Sequence, residues 1–589
     1  MLDLRLYRAS LLPFVAAVLV AAFSLSSLPT ALSSPLPPSV FSAARAFAKL
    51  ENLAAAYPRR APGSPDDDAL AAYVAQQFRA DGLTVRTRTT TAATVSGERR
   101  IETVIATRAG RAGGSLVLLA HRDATGAGAA AALSGTAALL ELARDLSVRG
   151  GLRPLTFVST SGGSGGNAGA LAAAALIPRP VDAVIVIGAV AGASLSQPFV
   201  VPWSPDGGAA PLVLQLTVDA ALAAQLGGPP PKPDVLDQLA RFAIPLTVGE
   251  QAPLEAAGLP AVLVQASGEL APSPAAAVSP ARLGDFGRGI LAAIDALQRG
   301  GEVPSPGARD LTLASDLLGS WAARLVVGLL ILACAACTLD AFARARRAGL
   351  ALAPWFGWAL WWAAPFLATA LFAKLLALTG LLPPVPPSPV TAVELPLGAR
   401  GAVALVAVAL VFAVACVLRV RLVRGPVLDG SDQTAGASVA LLCIASVVAV
   451  VLWIINPYTA ALLALPLALW LPVLNADEYR SARAGLLWLL CSLAPLGLVL
   501  GVEASSLGLG PISFFWVWLL VFAGDQLGLA ALLVFSLAGA VSITAALLLL
   551  HPGSRGLPAD IEITVRGPAS YAGPGSLGGT PSAIRRPVR

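Results

Sequence analysis

The feature that most constrains this chain is a series of long apolar stretches, most of them in its C-terminal half. Stretches of about 20 apolar residues are typical of membrane-spanning helices, because the bilayer core offers no water to the backbone. The mean hydropathy of +0.75 and the 13% of charged residues agree with this interpretation. We therefore predict a membrane protein with nine candidate spans, near residues 11–28, 318–341, 355–381, 400–418, 435–455, 457–474, 484–502, 506–524 and 527–550.

Arginines orient these spans, because basic residues accumulate in cytoplasmic loops. Clusters of arginine alternate with loops that lack basic residues, such as residues 383–396. This alternation predicts a multi-pass protein of the cell membrane with residues 35–315 on the extracytoplasmic side. Nine spans would leave the arginine-containing C-terminus outside, whereas eight would place it in the cytoplasm; the stretch at 506–524 decides between them. The clusters are Arg344, Arg346 and Arg347; Arg419, Arg421 and Arg424; and Arg480 and Arg483.

Composition shifts divide the chain into five regions. The first apolar stretch is a signal-anchor or a signal peptide, with a candidate cleavage site near residue 31. All five cysteines fall in apolar stretches, so the soluble part has no disulfides. The predicted regions are a cytoplasmic start with a signal-anchor helix (1–34), an exported domain (35–300), a linker (301–316), a polytopic membrane domain of seven or eight helices (317–551) and a flexible tail (552–589).

The exported domain has the alternating pattern of an α/β fold. Apolar runs that read as strands alternate with segments of helical periodicity, which predicts a mixed, mostly parallel sheet sandwiched by helices. The run at 115–121 ends in His121, and Asp123 follows it. Ligands of such sheets bind at the carboxyl ends of the strands. The predicted strands are 83–95, 100–110, 115–121, 154–161, 182–192 and 260–266, and the predicted helices are 42–55, 68–82, 134–150, 167–177 and 281–300.

Several motifs make this domain resemble the zinc aminopeptidases of clan MH, peptidase family twenty-eight. They are YPRRAPGSPDDDALAAYVAQQFRADGLTV (57–85) with its Arg-x-x-Gly-Ser element, LVLLAHRDA (116–124) with its His-x-Asp, SGTAALLELARDL (134–146), RPLTFVSTSGGSGGNAGA (153–170) and AAGLPAVLV (256–264). The resemblance implies a two-zinc site in which His121 is a metal ligand and Asp123 orients the site. The layout also resembles membrane-anchored metallopeptidases of the endoplasmic reticulum and a peptidase-like subunit of the glycosylphosphatidylinositol transamidase.

The remaining ligand positions that the resemblance implies carry no ligand-type side chains. The bridging aspartate falls near Ala131, the Glu-Glu pair at Gly163 and Ser164, and a further aspartate at Gly188. The exported domain contains one histidine and no cysteine, so His121 is its single retained match. We expect no zinc or other cofactor. The acidic residues nearest by sequence, Asp182, Glu250, Glu255 and Glu269, lack ligand spacing.

The glycine-rich loop allows an alternative kind of active site, with a serine nucleophile. Residues 162–166 fit Gly-x-Ser-x-Gly between a strand and a helix, as a nucleophile elbow requires. Ser164 with His121 and Asp123 would then form a serine hydrolase site.

These observations predict a catalytically degenerate, peptidase-like membrane protein whose exported cleft binds a peptide, protein or lipid-linked partner. The alternative is an active membrane-bound hydrolase, either zinc-dependent through non-standard ligands or serine-based. A transporter is disfavoured because the spans lack a series of polar residues. We expect no nucleic-acid partner, because the net charge of +6 reflects the arginine clusters and no basic stripe is interleaved with aromatics.

Overall fold

The computed structural model describes residues 4–33, 40–149, 151–229, 234–300, 309–423, 431–474 and 482–550. The predicted tail (552–589), His551, Arg424, Arg480 and the first half of the predicted linker (301–308) lie outside the described residues.

The strands form one large and one small sheet. The seven-stranded sheet has the order β2-β3-β5-β4-β6-β8-β7, and the three-stranded sheet has the order β1-β10-β9. The strands are β1 (Leu25–Ser27), β2 (Thr84–Thr94), β3 (Gly97–Arg108), β4 (Ser115–His121), β5 (Leu155–Thr160), β6 (Val181–Ile187), β7 (Val200–Val201), β8 (Ala261–Val264), β9 (Leu311–Leu313) and β10 (Asp316–Leu318).

The large sheet is parallel at its centre and antiparallel at its edges. Strands β5, β4, β6 and β8 run parallel, whereas β2, β3 and β7 pair antiparallel with their neighbours. The central β4 is a continuous apolar run because both of its faces are covered by helices. His121 is the last residue of β4 and lies beside Thr160 at the end of β5. The predicted α/β sandwich is confirmed.

In the described part of the chain, ten helices come before strand β9. They are α1 (Leu4–Ala9), α2 (Leu11–Phe23), α3 (Ala43–Ala56), α4 (Pro65–Ala80), α5 (Ala130–Ser147), α6 (Ala168–Ala174), α7 (Leu212–Leu226), α8 (Val235–Ala243), α9 (Gln251–Ala256) and α10 (Pro280–Arg299). Helices α3, α4, α5, α7 and α10 share one core with the sheet, while α6 and α9 cover its other face. Helices α7, α8 and α9 and the short β7 were not predicted from the sequence.

Within the described residues, nine further helices form the helical domain. They are α11 (Ser320–Arg347), α12 (Ala353–Leu360), α13 (Ala363–Leu378), α14 (Ala399–Leu422), α15 (Ser431–Ile455), α16 (Pro457–Trp470), α17 (Ala482–Ser506), α18 (Pro511–Ala523) and α19 (Leu529–Leu550), with a 3-10 turn at Leu471–Leu474 after α16. Seven helical segments of the described residues are long and apolar enough to cross a membrane, one of them near the N-terminus. Two of the nine predicted spans correspond to shorter helices, α16 and α18.

The two domains are joined by buried polar contacts. Arg241 of α8 lies 2.8 Å from a carboxylate oxygen of Glu269 and 3.4 Å from one of Glu503 in α17. Asn456, at the start of α16, donates a 2.6 Å hydrogen bond to the carbonyl oxygen of Phe242. These contacts hold the α/β domain against the helical domain, so that one end of the sheet lies close to the loops of the helical domain.

Candidate functional site

His121 is paired with a glutamate from a distant part of the chain. Its Nδ1 lies 2.7 Å from Oε2 of Glu250, the residue directly before α9. Asn167, at the end of the glycine-rich loop, donates hydrogen bonds to the carbonyl oxygens of Val248 and Gly249, at 2.9 and 3.1 Å. This contact places Glu250 beside the end of β4. Glu250 therefore reaches His121 although its spacing in the sequence gave no indication of it.

This pairing sets the charge of the imidazole. Burial lowers the pKa of His121, but the charge of Glu250 and its hydrogen bond outweigh burial and raise the pKa to about 9. His121 is therefore an imidazolium at neutral pH. A histidine must lose this proton before it can bind a metal ion.

Asp123 is buried and holds the glycine-rich loop in place. Its carboxylate accepts hydrogen bonds of 3.0 Å from the backbone N–H groups of Gly163 and Ser164, and a third from the hydroxyl of Ser164. A carboxylate with three donors on one loop fixes the position of that loop. Asp123 thus supports the site from behind, which is the kind of role that the resemblance implies for it.

The implied ligand positions are occupied by other contacts. A Cβ atom at Gly163 would lie 2.4 Å from Oε1 of Glu250 and 2.5 Å from Cβ of His121. At Gly188 a Cβ atom would lie 2.3 Å from Oε1 of Gln265. Ala131 is buried in the first turn of α5. At Gly163 and Gly188 the neighbouring side chains thus leave no room for a larger residue in this arrangement.

Ser164 lies in the strand-turn-helix setting that a nucleophile elbow needs. It sits between β5 and α6, in a loop where Gly162, Gly165 and Gly166 have φ angles of 83°, 103° and 78°. Its hydroxyl donates to Asp123, while Nδ1 of His121 bonds Glu250. The structure therefore pairs serine with aspartate and histidine with glutamate. Whether Ser164 acts as a nucleophile stays a prediction.

A loop of the helical domain covers the glycine-rich loop. This cover loop (residues 383–396) joins α13 to α14. A Cβ atom at Gly166 would lie 2.2 Å from Cβ of Pro386, and one at Gly165 would lie 3.5 Å from Cβ of Glu394. A residue with a Cβ atom would clash with the cover loop here and would also be strained at a positive φ. This close approach therefore requires glycine.

Glu394 brings a third ionisable group to this corner. Burial raises its pKa to about 7, while hydrogen bonds from Thr391 and the charge of His121 act in the opposite direction. The Thr391 backbone N–H donates to Glu394 Oε2 at 2.9 Å. We call His121, Glu250 and Glu394 the His121 corner. Glu394 lies 273 positions after His121 in another domain, so no local sequence signal could have indicated it.

Behind the corner lies a second charged group, which we call the buttress: Arg60, Asp67, Arg122 and Ser161. Arg122 Nε lies 2.9 Å from Asp67 Oδ1, and both side chains are fully buried. The other Asp67 oxygen accepts from the Ser161 hydroxyl at 2.5 Å. Arg60 donates to the carbonyl oxygens of Arg122 and Ala129, at 3.1 Å each. The buttress therefore fixes the backbone within the His-x-Asp segment, at Arg122, and after it, at Ala129.

The other acidic candidates are engaged elsewhere. Asp182 pairs with Arg153, Glu255 accepts a hydrogen bond from the backbone N–H of Ala261, and Glu269 pairs with Arg241. Among the residues that the structure describes, no group of three or more His, Cys, Asp or Glu side chains could hold a metal ion. The expectation that the chain carries no zinc stays a prediction.

Solved structures to which the chain is similar include aminopeptidases and glutaminyl cyclases. An aminopeptidase from Aneurinibacillus sp. strain AM-1 is 14% identical (TM-score 0.36; 46% of this chain and 97% of that chain). A zinc aminopeptidase from Bacillus subtilis is 12% identical (TM-score 0.36; 46% and 99%). A glutaminyl cyclase from Porphyromonas gingivalis is 16% identical (TM-score 0.32; 44% and 99%). At these identities the similarity concerns the fold alone.

No family model matches the chain, and no curated protein matches it. The sheet order and covering helices define the class: an α/β domain with a mixed, mostly parallel sheet, joined to helices that could span a membrane. Its assignment to peptidase family twenty-eight stays a prediction.

Proposed function

We propose that this chain is a membrane-anchored protein whose exported aminopeptidase-like domain binds a peptide, protein or lipid-linked partner without hydrolysing it. The observation that carries the proposal is the donor set: among the described residues, no group of three or more His, Cys, Asp or Glu side chains could hold a metal ion. A catalytic zinc site needs three protein ligands. The absence of a carboxylate at Gly163, where the family resemblance implies a general base, supports the same conclusion.

The test is to purify the full-length protein and measure its zinc content and its aminopeptidase turnover on chromogenic aminoacyl substrates. We expect far less than one zinc ion per chain at pH 7 and no chelator-sensitive release of amino acids. His121→Ala is expected to leave both measurements unchanged. When this variant is expressed in cells that lack the protein, we expect it to restore their phenotype as the original chain does. One zinc ion per chain that His121→Ala removes, together with chelator-sensitive turnover, would establish the active hydrolase instead.

We further propose eight membrane spans, with α18 lying at the membrane surface. Leu507, just before α18, packs with Leu246 and Val248 of the α/β domain. After α18, Gln526 donates a 3.0 Å hydrogen bond to the carbonyl oxygen of Pro386 in the cover loop. Both ends of α18 therefore face the α/β side. Its 13 residues would extend about 20 Å, less than the roughly 30 Å of a bilayer core.

Eight spans place the C-terminus in the cytoplasm, in agreement with the arginines that follow residue 551. Paired C-terminal fusions test this topology. We expect a fluorescent protein to be active there and alkaline phosphatase to be inactive. A fusion at Gly528, between α18 and α19, serves as the control and should give the reverse result. An active phosphatase at the C-terminus would support nine spans.

A further inference from the structure

The helical domain contains a large apolar cavity close to the cover loop. Its volume is about 700 Å³, within the range of cavities that bind small ligands. Its walls come from α13, α14, α18 and α19, and Leu397, directly after the cover loop, is also part of them. The lining includes five phenylalanines, namely Phe366, Phe412, Phe515, Phe522 and Phe535.

The lining offers almost no polar group to an occupant. Its two hydroxyls are used within their own helices: Thr369 donates to the carbonyl oxygen of Pro365 at 2.7 Å, and Ser536 to that of Leu532 at 2.8 Å. The indole Nε1 of Trp518 has no hydrogen-bond partner in the described part of the chain. A ligand with many polar atoms would lose its hydration here without replacement, which is costly. The occupant must therefore be a hydrocarbon chain with at most one acceptor, such as an ester carbonyl.

The cavity opens on the outer surface of the helical domain. Three of its lining residues, Val406, Ile512 and Phe515, are 65–70% exposed. If α13, α14 and α19 span a membrane and α18 lies against them in the leaflet on the α/β side, this opening faces lipid. Lys374 of α13, which follows the lining residue Ala373, pairs with the exposed Asp525 after α18. Such a pair belongs at the level of lipid headgroups, since charged side chains avoid the bilayer core. The cavity therefore lies in the leaflet on the α/β side.

We propose that this cavity binds an acyl chain of a lipid in the leaflet next to the α/β domain. The size of the cavity agrees with one chain. A spanning helix of another protein, about 10 Å across and 30 Å long, would exceed it several times over. The site is also connected to the cover loop, because Trp516 of α18 donates a 2.8 Å hydrogen bond to the carbonyl oxygen of Leu395. This inference goes beyond the proposed function and does not depend on the state of His121.

The experiment uses the full chain in nanodiscs of phosphatidylcholine that contains a photoactivatable diazirine in one acyl chain. Cross-links are mapped by mass spectrometry. We expect them to concentrate on the walls from α13, α14 and α18, with little labelling of α11 and α17. Ala409→Phe fills the cavity, and we expect it to reduce labelling of these walls by about tenfold, which corresponds to about 1.4 kcal/mol of binding free energy.

The matched control is Ala413→Phe, the same change one turn further along α14 at an exposed residue that does not line the cavity. It should label like the original chain. Ala402→Phe, at another lining position, repeats the test if Ala409→Phe fails to fold, as judged by its elution and melting temperature. Equal labelling of the folded lining variants and Ala413→Phe, or equally dense labelling of every lipid-facing helix, would overturn the proposal.

Discussion

The buttress and the His121 corner lie next to each other at the end of β4, yet they are built differently. In the buttress, Asp67 Oδ2 accepts hydrogen bonds from Ser161 and from the backbone N–H of Gly63, and Oδ1, which has no hydrogen-bond partner among the described residues, forms an ion pair with Arg122 at 2.9 Å. In the corner, Glu250 Oε1 is buried without a hydrogen-bond partner among the described residues. The buttress thus consists of buried charges that hold the backbone beside His121, whereas in the corner other contacts lie at the positions where the resemblance implies metal ligands.

The largest expected effect comes from breaking the buttress. Arg122→Ala leaves the Asp67 carboxylate buried without its cation, and breaking a buried pair in this way typically costs about 3–5 kcal/mol. We expect a clear fall in the melting temperature of the purified protein. Arg88→Ala, at an exposed position on β2, is the control and should change stability by less than about 0.5 kcal/mol. A melting temperature equal to that of the control would show that Arg122 contributes no more to stability than an exposed surface residue does.

A smaller effect is expected when a side chain is added at Gly163, where the resemblance implies a glutamate of the metal site. Gly163→Ala places a Cβ atom within 2.5 Å of His121 Cβ and even closer to Glu250 Oε1, so the pair must shift. Overpacking of this kind costs about 1–3 kcal/mol. Gly228→Ala, where no atom lies within 4 Å of the new Cβ, should be neutral or stabilising by up to about 1 kcal/mol. If both variants melt alike, the position at Gly163 is open rather than occupied.

The difference between the two groups also explains what could be predicted from the sequence. Six of the seven strands of the large sheet and helices α3, α4, α5, α6 and α10 follow from local periodicity, so the run at 115–121 indicates a buried strand by itself. The Arg-x-x-Gly-Ser element contains Arg60 of the buttress, but Asp67, which pairs with Arg122, looks like an ordinary acidic residue of a helix start. Glu250 and Glu394 reach His121 only through tertiary packing. Neither carries a periodic or spacing signal, so the charge of His121 could not be predicted.

The charge of the corner makes its stability depend on pH. The folded state holds the His121 proton more tightly than the unfolded chain, with a pKa of about 9 against 6.5. This contribution to stability is complete below about pH 6.5 and is lost as the pH rises through about 9. Glu394, with its pKa raised to about 7, acts in the same direction at lower pH: its contribution is lost as the pH rises from about 4.5 through 7. Rising pH should therefore destabilise the His121 corner in two steps, first through Glu394 and then through His121.

Glu250→Gln tests this dependence directly. Without the carboxylate, burial remains as the main influence, so we expect the pKa of His121 to fall to its ordinary value of 6.5 or below. The chain has two histidines, so a His551→Gln background leaves a single imidazole for NMR titration. Glu51→Gln, at an exposed position on α3, should leave the titration unchanged. A pKa near 9 in Glu250→Gln would assign the charge of His121 to another group.

The smallest expected effect separates the proposed binding protein from a serine hydrolase. Ser164→Ala removes one hydrogen bond to Asp123, which keeps the backbone N–H groups of Gly163 and Ser164 as donors. The loss of stability should be about 1 kcal/mol, and Ser273→Ala, at an exposed turn, should cost less. A nucleophilic serine needs a base that accepts its proton, but the imidazole of His121 is protonated at neutral pH. We therefore expect no labelling of Ser164 by a fluorophosphonate at pH 7, whereas labelling that Ser164→Ala abolishes and Ser273→Ala preserves would assign catalysis to this loop.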